Sequence, residues 1–239
     1  VKAFVTATGT NIGKTYVTCG LLRHMRREAQ ATLALKPVAS GFDPASAADS
    51  DSARLLEAQN CPVTLPAIAA ISPWRFAAPL SPDWAAALEQ RSIDYAALLA
   101  FCRHTLQTPA SVLIEGIGGV MVPLDATHTV LDLMADLALP VILVAGSYLG
   151  TLSHTLTALA VLRARNLPAV VVVSDSPGVT PDPDRTAATI ARHAQVATIR
   201  LRRTRPPDQD AAFADIVRVI GELVPRSAEP LHRRGREGQ

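Results

Sequence analysis

A loop of small residues, Ala7-Thr8-Gly9-Thr10-Asn11-Ile12, ends in Gly13-Lys14-Thr15. It follows a β-prone apolar run, Ala3-Phe4-Val5, and opens a helical segment over residues 16–27. A strand, a loop closed by Gly-Lys-Thr and a helix make the plan of a P-loop. Inward-pointing backbone N–H groups and the positive end of the helix favour phosphate there. Lys14 then reaches the terminal phosphates of a nucleoside triphosphate, and the Thr15 hydroxyl reaches Mg²⁺. The usual spacing, G-x-x-x-x-G-K-[ST], wants glycine at position 8, where Thr8 stands.

Three more charged residues fall where they could join this chemistry. Lys36 ends an apolar strand just before Pro37. Pointing into the same crevice as Lys14, it gives two cations around a transferring phosphoryl group, which suits transfer to an acceptor. Glu115 ends the run Ser111-Val112-Leu113-Ile114 and is followed by Gly116-Ile117-Gly118-Gly119. With Thr15 and Asp51 it makes a candidate Mg²⁺ site, completed by water and phosphate oxygens. A solvated loop acid is the competing reading for Asp51, and a tight turn is the competing reading for the glycines.

The elements that must position these residues alternate along the chain. Strands are expected at 2–6, 32–36, 111–115, 140–145, 168–173 and 196–201. Helices are expected at 15–27, 52–59, 83–89, 95–106, 129–138, 151–165, 184–193 and 211–223. Residues 38–41 read as a loop, and 43–51 as a mobile polar stretch. Residues 61–82 are rich in proline and weak in periodicity, and read as a long excursion over the sheet edge, covering a site or inert. The pattern implies an α/β fold: a doubly wound, mostly parallel sheet flanked by helices, in one domain over 1–225, with a disordered basic tail at 226–239. The site of such a sheet lies at the carboxyl ends of its strands. There the P-loop, 36–41, 115–119, 146–150 and Ser174-Asp175 converge.

Composition narrows the class. The 239 residues are 49% hydrophobic, enough for a sizeable core. The net charge of +2 argues against a dedicated nucleic-acid binder, and the basic runs at 200–205 and 233–236 read as solvated faces. Cys19, Cys61 and Cys102 lack metal or redox spacing and read as free thiols. No leader and no apolar run of membrane-spanning length is visible, so a cytoplasmic protein without membrane contact is the expectation.

Taken together, these motifs resemble those of ATP-dependent dethiobiotin synthetases. The resemblance is carried by Thr8-Gly9-Thr10-Asn11-Ile12-Gly13-Lys14-Thr15, Lys36-Pro37-Val38-Ala39-Ser40-Gly41 and Glu115-Gly116-Ile117-Gly118-Gly119. Ala77-Ala78-Pro79-Leu80-Ser81-Pro82, Val122-Pro123-Leu124, the strand at 140–144 and Ser153-His154 add to it. It spans residues 1–175, and the family's P-loop is one residue longer than the usual motif, which accounts for Thr8.

The resemblance implies a P-loop nucleoside triphosphate hydrolase-like fold and a ligase of biotin synthesis. Its substrates would be 7,8-diaminopelargonate, CO₂ and ATP with Mg²⁺, and its intermediates a carbamate and a carbamic–phosphoric anhydride. By matching position, Lys14, Lys36 and Thr10 would be catalytic. Thr15, Asp51 and Glu115 would hold Mg²⁺. Asn11, Ile12, Gly13, Tyr16, Gly116, Ile117, Gly118, Ser174 and Asp175 would line the nucleotide with them. Ser40, Thr10, Gly118, Gly119, Val122 and Pro123 would bind diamine or carbamate. Gly150, Thr151 and Ser153 would receive the substrate carboxylate across a homodimer interface.

The chain departs from the family pattern at Ala7, usually glycine, and at Gly9 and Asn11, where acids are common. Ser174 replaces an asparagine that faces the base. A hydroxyl lacks the amide's paired donor and acceptor, so relaxed nucleotide choice is expected. The segment 200–207 replaces a Pro-Trp-containing loop. The second function class is a P-loop ATPase switch of the partition and septum-placement type, which carries a further lysine near position 9. Gly9 and Thr10 stand there instead. A third is a non-catalytic paralogue, against which the intact Lys14, Thr15, Lys36, Asp51 and Glu115 argue.

Overall fold

The computed structural model describes residues 1–175, 181–203 and 209–223. Six strands form one parallel sheet: β1 (Lys2–Ala7), β2 (Thr32–Leu35), β5 (Ser111–Glu115), β6 (Val141–Gly146), β7 (Ala169–Ser174) and β8 (Thr198–Leu201). Their order is β2-β5-β1-β6-β7-β8. The chain lays β2 and β5 on one side of β1 and then crosses to β6 on the other. That reversal puts the topological switch point at the carboxyl end of β1, where the P-loop begins.

The central strands are buried on both faces, as a parallel sheet covered by helices requires. Val170, Val171, Val172 and Val173 of β7 all have 0% exposure, so β-branched side chains fill both sides of one strand. The covering helices are α1 (Lys14–Arg27), α2 (Asp51–Ala58), α3 (Leu65–Ile71), α4 (Pro82–Leu88), α5 (Tyr95–Thr105), α6 (Val130–Leu137), α7 (Thr151–Ala164), α8 (Pro183–Ala194) and α9 (Asp210–Leu223). On α1, Val17, Leu21, Leu22 and Met25 turn inward, while His24, Arg26 and Arg27 sit at the carboxyl end that favours positive charge. Thr129 and Asp132 close a capping box at the start of α6. Among the described residues no helix is long and apolar enough to cross a membrane.

Two stretches differ from the sequence expectation. Residues 38–41 are not all loop: β3 (Val38–Ser40) pairs in parallel with β4 (Trp74–Phe76) in a separate two-stranded sheet. The intervening 43–51 stretch, expected to be mobile, holds a 3₁₀ helix, Pro44–Asp49, whose first turn Asp43 caps at Ala45 N. The excursion at 61–82 likewise contains α3 and β4. Three-residue strands are too short to show a period, and Pro66 hides α3 by sitting at its first turn, where proline is tolerated. The tail at 226–239 lies outside the described residues. Cys19 and Cys102 are buried and Cys61 exposed, all as free thiols.

Candidate active site

Sheet register brings the charged residues together. Leu35 of β2 pairs with Ile114 of β5, so Lys36 lies level with Glu115, and Val5 of β1 pairs with Glu115 from the other side. Lys36 Nζ donates to Glu115 Oε1 at 2.8 Å and to the Gly116 carbonyl at 3.0 Å. Asp51 Oδ2, from the first turn of α2, stands 3.5 Å from the same ammonium. Burial opposes the Lys36 charge, but Glu115 and then Asp51 outweigh it and raise the pKa. Burial likewise opposes ionisation of Asp51, and the Lys36 charge, hydrogen bonds from Thr15 and Lys36 and the Arg54 charge together outweigh it and hold the carboxyl below its ordinary range. Both groups are therefore charged at neutral pH.

The P-loop wraps the other cation. Lys14 Nζ donates to the carbonyls of Gly118 at 2.7 Å and Gly9 at 3.2 Å, so it bridges the P-loop and the glycine turn after β5. Burial, then the charge of Lys36, lowers its pKa to about 8. Gly13 caps α1 at φ 117°, a conformation that glycine adopts without strain. Asn11 also takes positive φ, at 59°, which asparagine tolerates better than most residues. Thr8 continues the β1 ladder, donating its N–H to Val144 O at 3.0 Å, so a glycine is not needed there. Its hydroxyl lies 3.4 Å from the Tyr148 hydroxyl, which meets His154 Nδ1 at 2.9 Å.

Thr15 Oγ1 donates to Glu115 Oε1 at 2.8 Å, while Glu115 Oε2 is buried with no partner among the described residues. A carboxylate oxygen left bare in a buried place points to a further ligand. With the Thr15 hydroxyl and the half-exposed Asp51 it offers the hard oxygen donors that Mg²⁺ prefers. No cluster of three or more His, Cys, Asp or Glu suited to a metal exists among the described residues. A cation here would rely on these few protein oxygens together with water and phosphate, which is Mg²⁺ practice.

These groups open into a cleft of about 1030 Å³. Thr10, Asn11, Gly13, Lys14, Thr15 and Tyr16 line one wall, Lys36, Ser40 and Asp51 the next, and Ile117, Gly118 and Val122 the floor. Glu115 stands behind Thr15 and Lys36. Ile12, Gly116, Gly119, Pro123, Ser174 and Asp175 do not line the cleft itself, although Gly119 packs against Ala7 O and Gly9. Gly150, Thr151 and Ser153 stay outside it too. Gly150 caps α7 at φ 95°, and the buried Thr151 hydroxyl donates inward to Gly146 O at 2.6 Å.

The cleft has further walls: Pro79 and Leu80 come from the 77–82 stretch quoted above, whereas motif reading did not single out Phe42, Arg54 or Arg203. Arg54 follows Asp51 by three residues on α2 and so shares its face, a spacing visible in the sequence. Phe42, Pro79, Leu80 and Trp84 form an apolar side, with Trp84 66% exposed. Arg203 closes the end near Tyr16 and gave no sequence signal beyond membership of a basic run.

Comparison with known proteins places the chain. A family profile described as an AAA domain matches residues 2–224. The ATP-dependent dethiobiotin synthetase BioD of Methylobacterium nodulans is 51% identical over 84% of this chain and 92% of its own length. That of Acidiphilium cryptum is 49% identical over 80% and 86%. Among solved structures, the MinC:MinD cell division protein complex of Aquifex aeolicus aligns at TM-score 0.57 with 11% identity, covering 95% of this chain and 98% of that one. A plasmid partition protein from Borrelia burgdorferi aligns at 0.53 with 11% identity, covering 92% and 97%. These two share the fold alone. With sequence identity near one half over most of both chains, this chain belongs to the ATP-dependent dethiobiotin synthetase family.

Proposed function

We infer that the chain is an ATP-dependent dethiobiotin synthetase, a cyclo-ligase that forms dethiobiotin, ADP and phosphate from 7,8-diaminopelargonate, CO₂ and ATP. The observation that carries this reading is Lys36. It is a second lysine, only 4% exposed, fixed by Glu115 and Asp51 beside the P-loop and lining the same cleft as Ser40. Phosphate binding alone needs Lys14. A second fixed cation on the acceptor side suits phosphoryl transfer to a bound substrate.

One substrate amine adds to CO₂, forming an N–C bond and a carbamate. A carbamate oxygen then attacks the γ-phosphorus as its bond to ADP breaks. The second amine attacks the carbamoyl carbon, and phosphate departs as the ring closes. Lys14 and Lys36 stabilise the negative charge of the transferring group from two sides. Thr10 and Ser40 orient the diamine and its carbamate by their hydroxyls, Gly118 and Val122 shape the surface beneath, and Gly119 and Pro123 support that surface from behind. Asn11, Gly13 and Tyr16 hold the nucleotide from the P-loop and Ile117 from the turn after β5, while Ile12 and Gly116 support them through carbonyls that accept from Arg203 and Lys36. Ser174 and Asp175 lie on the base side. Pro79, Leu80 and Trp84 offer an apolar side of the cleft for the hydrocarbon chain of the diamine. Mg²⁺ would be held by Thr15, Asp51 and Glu115, and when bound neutralises β- and γ-phosphate charge.

A homodimer completes the reading. Gly150, Thr151 and Ser153 open a 14-residue helix whose amino end suits a carboxylate, yet they miss the cleft of their own chain. Leu149 beside them is 93% exposed and Met121 55%, apolar surface that a second copy would cover. Thr151 would contribute its backbone, since its hydroxyl is engaged. Residues 1–225 are proposed as one P-loop α/β domain, supported by a single hydrophobic cluster running from β1 to α9.

The test is phosphate release from MgATP and bicarbonate, with and without the diamine, with dethiobiotin measured as product. Release that depends on the diamine and matches dethiobiotin formed is expected. Release indifferent to the diamine would point to an ATPase switch and sink the proposal.

A further inference from the structure

The nucleoside end of the triphosphate has a direction on this sheet. The P-loop leaves β1, and Lys36, Ser40 and Asp51 occupy the β2 side of the cleft. Base and ribose must then extend toward β7 and β8, still at the carboxyl ends of the strands. Arg203 stands there, two residues beyond the end of β8. Its Nε donates to Ser174 Oγ at 3.0 Å, and its Nη2 donates to the Ile12 carbonyl at 2.9 Å. Its guanidinium carbon lies 5.3 Å from the centroid of the Tyr16 ring. The Tyr16 hydroxyl is buried without a partner among the described residues. Asp175, the nearest acid in sequence, is engaged by Arg200 at 3.3 Å.

We propose that Arg203, steadied by Ser174, reads the acceptor edge of the purine base, so that 6-oxopurine triphosphates serve this enzyme about as well as ATP. The proposal rests on the dethiobiotin synthetase reading and names the base specificity of that site. A guanidinium carries five donors and no acceptor. Its fork matches the N7 and O6 acceptors of a 6-oxopurine. Adenine offers N7 but sets an amino group at position 6, which needs an acceptor. Ser174 has one hydroxyl oxygen, already accepting from Arg203. The carboxylate of Asp175 is turned to Arg200, so among the described side chains neither it nor Ser174 is an acceptor reserved for that amino group. The described side chains of this wall thus lack the dedicated pairing that makes a site reject the wrong base.

Binding of ADP, GDP and IDP, measured by calorimetry on the full chain, tests this without turnover. IDP carries O6 and N7 but no 2-amino group, so it isolates the edge in question. In the unsubstituted protein IDP should bind within about tenfold of ADP, and Arg203→Ala should weaken IDP and GDP about tenfold more than ADP. Arg203→Lys keeps the charge but not the fork, and should shift the ratio in the same direction. Rejection of IDP by more than about tenfold in the unsubstituted protein overturns the proposal, because a fork serving O6 and N7 would be worth at least that much. Equal weakening of all three nucleotides assigns Arg203 to the phosphates and overturns it too, as does an unchanged ratio. Since no diamine is present, failure to form dethiobiotin would strike the functional reading and leave this result standing.

Discussion

Lys36 and Glu115 meet at 2.8 Å behind the wall of the cleft, at 5% and 0% side-chain exposure, and the same carboxylate oxygen accepts from Thr15. One acid therefore ties the proposed transfer lysine to the threonine of the P-loop. The pair is not a stability device. Two charges taken from water lose most of what they regain from each other, whereas removing one strands the other. Its value lies in holding Lys36 charged and fixed before substrate arrives.

That argument separates the catalytic role of Lys36 from its structural one. Lys36→Met should lower dethiobiotin formation by at least about 100-fold, the scale for losing a fixed transition-state donor. Nucleotide affinity should change little, because Lys14 and the loop remain. The single variant also leaves Glu115 buried without its cation, at a cost of about 3–5 kcal/mol in chemical denaturation. Adding Glu115→Gln should recover much of that stability and none of the turnover. Near-wild-type dethiobiotin formation in Lys36→Met would rule out the transfer role.

The buried thiols make a pH prediction of their own. Burial pushes Cys102 up to about 12. Burial, then the Glu115 charge, pushes Cys19 up to about 12 as well. A group whose pKa is raised by folding stabilises the fold fully below its unfolded value and loses that contribution as pH climbs toward the folded value. Here the window is from about 9 to about 12. Between pH 7 and 9, iodoacetamide should label Cys61 in the native protein, with Cys19 and Cys102 labelled only after denaturation. Labelling of Cys102 in the native protein at pH 8, read by peptide mass, contradicts its burial.

Much of this was legible before the structure. The order of β1, β2, β5, β6, β7 and β8 with their helices follows from apolar runs and periods, and buried parallel strands such as β7 show as unbroken valine. Lys14, Thr15, Lys36 and Glu115 were legible because each ends a strand or opens a helix. What stayed hidden has local causes. β3 and β4 exist through their pairing with each other, at three residues apiece, and no alternation develops over that length. Arg203 acquires its place from tertiary contact with Ser174 and Ile12, residues 29 and 191 positions away in sequence. The inward turn of the Thr151 hydroxyl depends on Gly146, the last residue of β6, and no motif marks it.

Two glycines of the same helix region offer a last contrast. At Gly13 the backbone sits at φ 117°, and a Cβ there would overlap the Arg203 guanidinium and lie 3.3 Å from Ser174 Oγ. Gly13→Ala should therefore cost about 1–3 kcal/mol of backbone strain and also weaken nucleotide binding, since the loop N–H groups shift with it. Gly20 has ordinary helical backbone, where alanine is favoured by about 1 kcal/mol. Yet a Cβ there would run into the ring of Phe213, itself 3% exposed between α1 and α9. Overpacking of a dense interior costs about 1–3 kcal/mol, enough to outweigh the helix gain. Gly20→Ala should thus lower the melting temperature while leaving nucleotide affinity unchanged, and Gly13→Ala should lower both. A Gly20→Ala protein more stable than the parent would mean that the Phe213 ring yields freely and that α9 is held to α1 by other contacts.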